Sequence, residues 1–425
     1  MRAGFYTTYI TPPLDYEMPG GFHKRFATGV HDQLRASAVY LENPDTALAL
    51  VAVDCVSFDA RVASRAREVV QKHLGMTSQQ VLISATHTHS GGPTAEVLMS
   101  EADSAYCDWV ARQAATAVIC AQNRAVEARM SGGSGAVPGI GFNRRWHLAD
   151  GTVRTNPGQV PQKDLICPAG PVDDELIVLG LWDTQDNLLG TIINFTCHTT
   201  FMSGSAYSAD YPGALEQALG VPTVFFNGAM GDINQIDFTD PDNRSSYSGP
   251  DAVARVSARL SEAARTVLAS ATRDASPSLA TASQMVQMPL RGPDKTELDA
   301  ATELYEQDGE WTQERIYARE LVLLDEMLRR DGDIAGCEIH AMRLGGVQLC
   351  AAPLQPFCQL GLDVKSQQDM PTMLPALANG CLGYLGPRQA YEEGGYELTL
   401  KRTSYLAPGS GGLYATAALE TLERL

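Results

Sequence analysis

The stretch VLISATHTHSGGP, residues 81–93, joins a short apolar run to two histidines and a glycine-bounded turn. Its first six residues are apolar, β-branched or small, which predicts a buried strand ending just before His87. Side chains at positions i and i+2 of an extended segment point to the same side, so we expect His87 and His89 to face one site. Two imidazoles at the end of a strand are typical of a metal half-site. The alternative is a pair of hydrogen-bonded structural histidines beside a turn.

Further strands and helices alternate along the chain. Strand-like runs are TALALVAVDCVSF (46–58), ELIVLGLWD (175–183), LLGTIINFTCH (188–198), PTVFFNGAMGD (222–232) and CEIHAMRLGGVQLCAAP (337–353), of which the second and third form one hairpin and the last a second one. Helical spacing is found over 60–74, 103–129 and 251–271. The glycine- and proline-rich residues 131–172 predict long surface loops. This interleaving predicts an α/β fold with a mixed β-sheet core flanked by helices.

A charged helical region covers about residues 294–331, and it predicts a solvated helix or helix pair whose charges need no functional explanation. No linker divides the sequence. We therefore expect residues 1–425 to form a single catalytic domain.

The composition excludes several classes of partner. The 425 residues contain 32 Lys plus Arg against 50 Asp plus Glu, a formal charge of −18, which argues against nucleic acid and anionic membranes. The N-terminus lacks a secretory signal pattern, and the nine scattered cysteines contain no C-x-x-C pair. We predict a cytoplasmic protein with reduced thiols that forms no transmembrane helix, and a homo-oligomer is a reasonable default.

Other polar residues follow predicted strands. His198 ends a buried run and could join His87 and His89 as a third imidazole, although alone it would be read as a satisfied core histidine. Asp54, Asp210 and Asp232 also follow strands, and each is explained more simply as a cap or turn residue.

Two loops add further candidates. GFNRR (141–145) places Arg144 and Arg145 where an arginine could bind a carboxylate or stabilise an oxyanion. GYLGPRQAYEEGGYE (383–397) carries three tyrosines that are typical of the wall of a site.

Taken in order, these segments resemble the neutral/alkaline non-lysosomal ceramidase family, in its N-terminal catalytic domain alone. Nothing in the sequence corresponds to that family's C-terminal β-sandwich domain. The matching pieces are GVHDQLRASAVYL (29–41), VAVDC (51–55), SATHTHSGGP (84–93), GFNRR (141–145), INFTCHTTFMS (193–203), SADYPG (208–213), FFNGAMGDIN (225–234) and APLQPFCQLGLDVK (352–365).

The resemblance implies a zinc ion, or another divalent metal, and an attack by water on an amide carbonyl. His87, His198 and Tyr384 would be metal ligands. His89 would lie beside the metal-bound water, Arg144 would face the oxyanion, and Tyr396 would line the pocket. Asp54 and Asp210 are candidates for the carboxylate that would orient the imidazoles.

The sequence departs from the family at two positions. The family's glutamate ligand aligns with Gln355, whose neutral amide oxygen removes a negative charge from the cation's surroundings and should weaken zinc binding. The family's GDVSPN serine aligns with Asn234, which can donate a hydrogen bond in the catalytic site but cannot act as a nucleophile.

The sequence therefore predicts a metal-dependent hydrolase of an amide or ester bond in a small soluble molecule, one that does not act on ceramide. The alternatives are a metal-dependent lyase or isomerase of a polar metabolite, and a non-catalytic member that only binds a ligand.

Overall fold

The central sheet has five strands. A computed structural model describes residues 1–240 and 247–425, and in it strands β1 (Arg2–Tyr9), β3 (Arg35–Glu42), β4 (Ala47–Val53), β5 (Val81–Ala85) and β6 (Val126–Glu127) form this sheet in the order β5-β4-β3-β1-β6. Strands β4 and β5 are parallel, whereas the other neighbours are antiparallel. Along β3, Ala38 and Tyr40 face one side of the sheet while Val39 and Leu41 face the other, so both faces are buried.

Two four-stranded sheets cover one face of the central sheet. The first contains β7 (Arg129–Ala136), β12 (Glu175–Trp182), β13 (Leu188–Phe195) and β15 (Thr223–Asn227), with β13 and β15 parallel. The second contains β17 (Leu279–Pro289), β18 (Ile334–Leu344), β19 (Val347–Ala351) and β21 (Thr372–Met373). Their apolar side chains share one buried cluster with the central sheet, so this interface is sheet on sheet.

Short strands complete the sheet structure around the ends of these layers. They are the pair β2 (Gly29–Val30) and β14 (Ala206–Tyr207), the pair β8 (Phe142–Asn143) and β16 (Ile233–Asn234), the pair β20 (Gln355–Pro356) and β22 (Tyr384–Leu385), and the group β9 (Arg145–Leu148), β10 (Val153–Thr155) and β11 (Leu165–Pro168).

Helices close both outer faces. The helices are α1 (Ala60–Leu74), α2 (Ser104–Asn123), α3 (Asp210–Leu219), α4 (Pro250–Ser270), α5 (Lys295–Tyr305), α6 (Gln313–Asp331), α7 (Cys358–Lys365), α8 (Arg388–Glu393) and α9 (Ser410–Leu422). Helices α1 and α2 pack on the free face of the central sheet, α3 and α4 on the β12–β13 sheet, and α7 and α9 on the β18–β19 sheet. The order of layers is therefore helix, sheet, sheet, helix, which confirms the predicted α/β class with a mixed-sheet core.

Two local predictions need correction. Residues 131–172 do not form surface loops throughout, because β7 pairs with β12 along its whole length and β8 to β11 follow it. The region 294–331 does form a helix pair, α5 and α6, but Glu320 of α6 is fully buried and binds Arg402 at 2.8 Å. The charge of Glu320 therefore has a structural role.

All nine cysteines are free thiols. Within residues 1–240 and 247–425, no helix is both long and apolar enough to cross a bilayer.

Candidate metal centre

Strand ends from two sheets meet at one edge of the layered core. The chain leaves β5 and reaches His87 and His89, and it leaves β13 and reaches His198. The loops after β4 and β15 run beside them, so the parallel pairs β4/β5 and β13/β15 contribute their carboxyl ends. Sites in α/β proteins form at such edges.

His87 adopts an unusual backbone conformation. Its φ is +69°, in the left-handed region, where a non-glycine residue is strained. We expected His87 and His89 to face one site because the segment would be extended, and the segment is not extended at His87. The two rings nevertheless converge, with their centroids 4.8 Å apart, and the His198 ring lies 4.7 Å from that of His87.

Each of the three imidazoles is oriented by the main chain. The Nδ1 atom of His87 donates to Val56 O at 2.6 Å, and that of His89 donates to Gly20 O at 3.0 Å. The Nδ1 atom of His198 lies 2.9 Å from Met230 O and 2.8 Å from Ile233 O. A carbonyl oxygen only accepts, so each Nδ1 carries the proton and each Nε2 is left with a lone pair.

The Nε2 atoms face one another. Those of His87 and His89 are 3.3 Å apart, and one ring nitrogen from each of the three residues lies within 4.8 Å of the other two. Burial lowers the pKa of His87 to about 4 and lowers the pKa values of His89 and His198 well below their ordinary value. The three rings are therefore neutral at pH 7. No proton lies between the Nε2 atoms of His87 and His89, so nothing offsets the repulsion between their lone pairs. A divalent cation fits this arrangement, because neutral imidazole nitrogens are ligands that zinc prefers.

Arg144 lies against this group and is almost fully buried. Its Nη1 donates to His198 Nε2 at 3.4 Å, and its Nη2 donates to Tyr384 Oη at 3.2 Å and to Gly231 O at 2.8 Å. Its Nε donates to Glu397 Oε1 at 2.7 Å. Although burial acts to lower it, the pKa of Arg144 is raised by Tyr384 and Glu397, so the guanidinium stays charged.

Gln355 and Tyr384 are paired across two short parallel strands, β20 and β22. Both are buried, and both line a cavity that also contains His87 and His89. Tyr396 lines the same cavity, with its ring centroid 6.0 Å from that of Tyr384 and 5.8 Å from that of Phe22. Gln355, Tyr384 and Tyr396 therefore line the same cavity as His87 and His89, and their predicted roles there stay predictions.

Asn234 directly follows Ile233, whose carbonyl holds His198, but its side chain bonds to other residues. Its Nδ2 donates to Asn156 Oδ1 at 2.8 Å, and its Oδ1 accepts from the Ile236 amide at 3.1 Å. Among the described residues, it is not part of the cavity lining. Its predicted catalytic role gains no support from these contacts.

The carboxylates expected to orient the imidazoles do not do so. Asp54 accepts from Arg35 and Thr86, and Asp210 accepts from the Met202 and Tyr211 amides. Backbone carbonyls take the place that was predicted for these two side chains.

Two residues of the site were missed by the sequence reasoning. Glu397 is fully buried and accepts from both Arg144 and Thr155 Oγ1, the latter at 2.6 Å. Lys401 is also fully buried, with its Nζ 4.4 Å from the centroid of the Tyr396 ring. The only sequence signal was their position near Tyr396, which does not identify them as residues of the site.

The cavity at this site has a volume of about 1230 Å³. From the histidines it extends past α1, the carboxyl end of α6 and the adjoining ends of β17 and β18. Among the described residues four arginines line it, and each is paired with an acidic group: Arg61 with Asp59, Arg67 with Glu338, Arg330 with Asp331, and Arg402 with Glu96 and Glu320.

Solved structures of ceramidases share this fold. The neutral ceramidase from Pseudomonas aeruginosa matches with a TM-score of 0.76 at 19% identity, over 100% of this chain and 75% of that chain. A ceramidase complexed with C2 matches with a TM-score of 0.73 at 18% identity, over 99% and 74% of the two chains. No family model and no curated protein sequence matches the chain. The chain therefore has a ceramidase-like fold, as its sequence motifs predicted.

Proposed function

We propose that the protein is a metal-dependent hydrolase that cleaves an amide or ester bond in a small polar molecule. The observation that carries this proposal is the convergence of three Nδ1-protonated imidazoles, whose Nε2 atoms face one another beside a buried arginine. Zinc is the metal that this donor set favours, and His87, His89 and His198 are the ligands we assign to it. His89 thereby becomes a ligand instead of a neighbour of the metal-bound water.

A bound divalent metal would supply Lewis acidity toward a carbonyl oxygen and would lower the pKa of a coordinated water. The protein's own contribution comes from Arg144 and Tyr384. The Arg144 guanidinium is held from three sides, so it can donate to negative charge that develops on a carbonyl oxygen without having to reorganise. The Tyr384 hydroxyl accepts from Arg144, and its own proton is therefore free to point toward a substrate.

The charged lining of the cavity supports a polar substrate. A long acyl chain in this space would remove water from the paired arginines and carboxylates without replacing their hydrogen bonds, which is costly. A small molecule with several polar groups would exchange hydrogen bonds with them. Ceramide is therefore a poor match for this cavity, in spite of the shared fold.

Metal analysis joined to activity tests the proposal. Purified protein is expected to contain about one divalent metal per three-histidine site, and chelation is expected to remove hydrolysis of simple acyl amides and esters until zinc is restored. Protein that binds no zinc or cobalt from supplemented buffer would contradict the proposal.

Labelled water separates hydrolysis from lyase or isomerase chemistry on the same scaffold. A hydrolase places the water oxygen in the carboxylic acid product, whereas a lyase that eliminates across a bond does not. Product that is free of the label would reject the hydrolase assignment and favour the lyase.

A further inference from the structure

One arm of the cavity leads away from the histidines along helix α1. Residues of α1 at helical spacing line this α1 arm, namely Arg61, Ser64, Arg67 and Gln71. The helix begins at Ala60, shortly after Val56, whose carbonyl holds the His87 ring. A rise of about 1.5 Å per residue places Arg67 about 10 Å further along the helix axis. The α1 arm therefore starts beside the three-histidine centre and passes Arg67.

Arg67 and Glu338 form an ion pair in the wall of the α1 arm. The Nη1 atom of Arg67 donates to Glu338 Oε2 at 2.9 Å and its Nη2 donates to Oε1 at 3.2 Å, so two bonds join the guanidinium to the carboxylate. Its Nε donates to Val81 O at 2.9 Å. The pair connects α1 to β18, and it cannot turn aside without breaking these bonds.

Little of this ion pair is exposed, in contrast to two other pairs that line the cavity. Its side chains are 11% and 19% exposed, against 90% and 57% for Arg61–Asp59 and 74% and 55% for Arg330–Asp331. Exposed pairs are held weakly, so their side chains can turn into water when a ligand enters. The buried pair stays in place, and an apolar chain laid against it would remove its remaining hydration without supplying a hydrogen bond.

Apolar side chains lie next to the pair. Met285 is opposite Glu338 in the β17–β18 ladder, and Met327 of α6 also lines the cavity. Apolar residues at positions 67 and 338 would extend this surface. The two charges therefore interrupt a wall that could otherwise accept an apolar chain.

We infer that the Arg67–Glu338 ion pair is a specificity determinant that excludes long apolar acyl chains from the α1 arm. The substrate class is then an amide or ester whose acyl group is short, or polar along its length. This inference rests on the proposed function, because it places the substrate's carbonyl at the three-histidine centre.

The test uses cobalt-loaded protein and two hydroxamates that differ in chain length. Acetohydroxamate carries a methyl group on its carbonyl, and octanohydroxamate carries a linear chain of roughly 9 Å, close to the distance from the start of α1 to Arg67. The visible spectrum of bound Co²⁺ reports the binding of each. The proteins are the wild type, Arg67→Met/Glu338→Leu, and the control Arg112→Met/Asp108→Leu, which replaces an exposed ion pair on α2 outside the described cavity lining.

The wild type should bind the two hydroxamates within about threefold of each other, because contact with the pair offsets what the chain gains elsewhere. Arg67→Met/Glu338→Leu should bind octanohydroxamate at least about tenfold more tightly than acetohydroxamate, because the chain then meets an apolar wall. The control should keep the ratio of the wild type. Each ratio is measured on one protein, so a difference in cobalt affinity between variants does not affect it.

The double variant is designed to fold. Replacing both partners of a buried ion pair by apolar residues is commonly tolerated, whereas replacing one leaves a buried charge. His340 Nδ1, which lies 3.4 Å from Arg67 Nη2, also lies 3.3 Å from Asn379 Nδ2 and so keeps a donor. Arg67→Leu/Glu338→Met is the second variant should the first not fold, and the wild-type comparison depends on neither.

Three results would overturn the inference alone. One is a wild type that already prefers octanohydroxamate by about tenfold or more. Another is a folded double variant that keeps the wild-type ratio, and the third is an equal gain in the Arg112→Met/Asp108→Leu control. Failure of the wild type to bind cobalt would instead overturn the proposed function, and the inference with it.

Discussion

The guanidinium of Arg144 and the carboxylate of Glu397 form an ion pair of 2.7 Å, with the residues 7% and 0% exposed. The same guanidinium contacts His198 and Tyr384. Glu397 therefore holds a positive charge in place beside three neutral imidazoles.

Glu397→Gln should destabilise the protein by about 3 kcal/mol, since it leaves Arg144 buried without its counter-ion. The double variant Arg144→Met/Glu397→Gln should recover part of this loss, because both charges are then gone. The coupling between the two residues is measured by urea unfolding of the wild type, Arg144→Met, Glu397→Gln and the double variant. Asp331→Asn, which removes an exposed ion pair with Arg330, is the control and should change the free energy of unfolding very little. Additive effects of the two buried substitutions would contradict the coupling.

His87→Ala, His89→Ala and His198→Ala should each lower zinc affinity by at least tenfold, because each removes one of three converging ligands. The control is His340, which is also fully buried and whose ring is bound to Gln79 O at 2.8 Å, outside this group. His340→Gln should keep the zinc affinity of the wild type. Equal losses in all four variants would mean that the effect comes from general destabilisation.

Gly20→Ala should weaken metal binding without altering a ligand. Gly20 has a φ of +112°, and a Cβ atom there would lie 2.6 Å from His89 Nδ1, so the ring must move. Gly204→Ala is a matched control, because Gly204 has a φ of +94° but open space around its Cβ position. Both variants carry backbone strain, and only the first should lose cobalt affinity in a chelator competition. Unchanged affinity in Gly20→Ala would argue that His89 is not a ligand.

Lys401 should make stability depend on pH between 7 and 9. Burial lowers its pKa from 10.5 to about 7, while Glu397 and Glu320 oppose this shift. Above pH 7 the folded protein releases this proton whereas the unfolded chain keeps it, so this residue's contribution to stability rises with pH and is lost as pH falls through 7.

The corresponding measurement compares Lys401→Met with the wild type. The difference in their free energies of unfolding should change by about 1.4 kcal/mol per pH unit between pH 7 and 9, in favour of the wild type as pH rises. Lys365→Met is the control. Although burial acts to lower it, the pKa of Lys365 is raised by Asp173 and Glu175, so both states keep the proton in this range. A constant difference for Lys401→Met would show that its amine stays charged.

Much of the fold was predictable where apolar runs are continuous. Helix α1 and the β12–β13 hairpin match the patterns from which they were predicted, since burial imposes their periodicity directly on the sequence. Strand β7 was missed because its sequence RMSGGSGA contains three glycines. Gly132 reflects close packing, since a Cβ there would lie 2.5 Å from Leu179 Cδ2 of the neighbouring strand and 3.0 Å from Val347 Cγ2 of the second sheet. A pattern of apolar side chains does not report such a contact.

The candidate site was predictable to a similar extent. The histidines that follow β5 and β13 could be recognised in the sequence. The structure brings His87, His89 and His198 together. Glu397 was not predictable, because its partner Arg144 is 253 positions away in the sequence and only the fold brings them together. The metal-binding and catalytic roles assigned from the sequence remain predictions for the experiments above.

The carbonyl groups that hold the three imidazoles belong to Gly20, Val56 and Met230, in three separate loops, and to Ile233 at the start of β16. A carbonyl is present whatever side chain its residue carries. The ring orientations should therefore survive point substitution at Val56, Met230 and Ile233 wherever the loop path is kept, and should be lost when one residue is inserted or deleted. Among diverging sequences, loop length would then be a stricter mark of a preserved centre than the identity of its supporting residues.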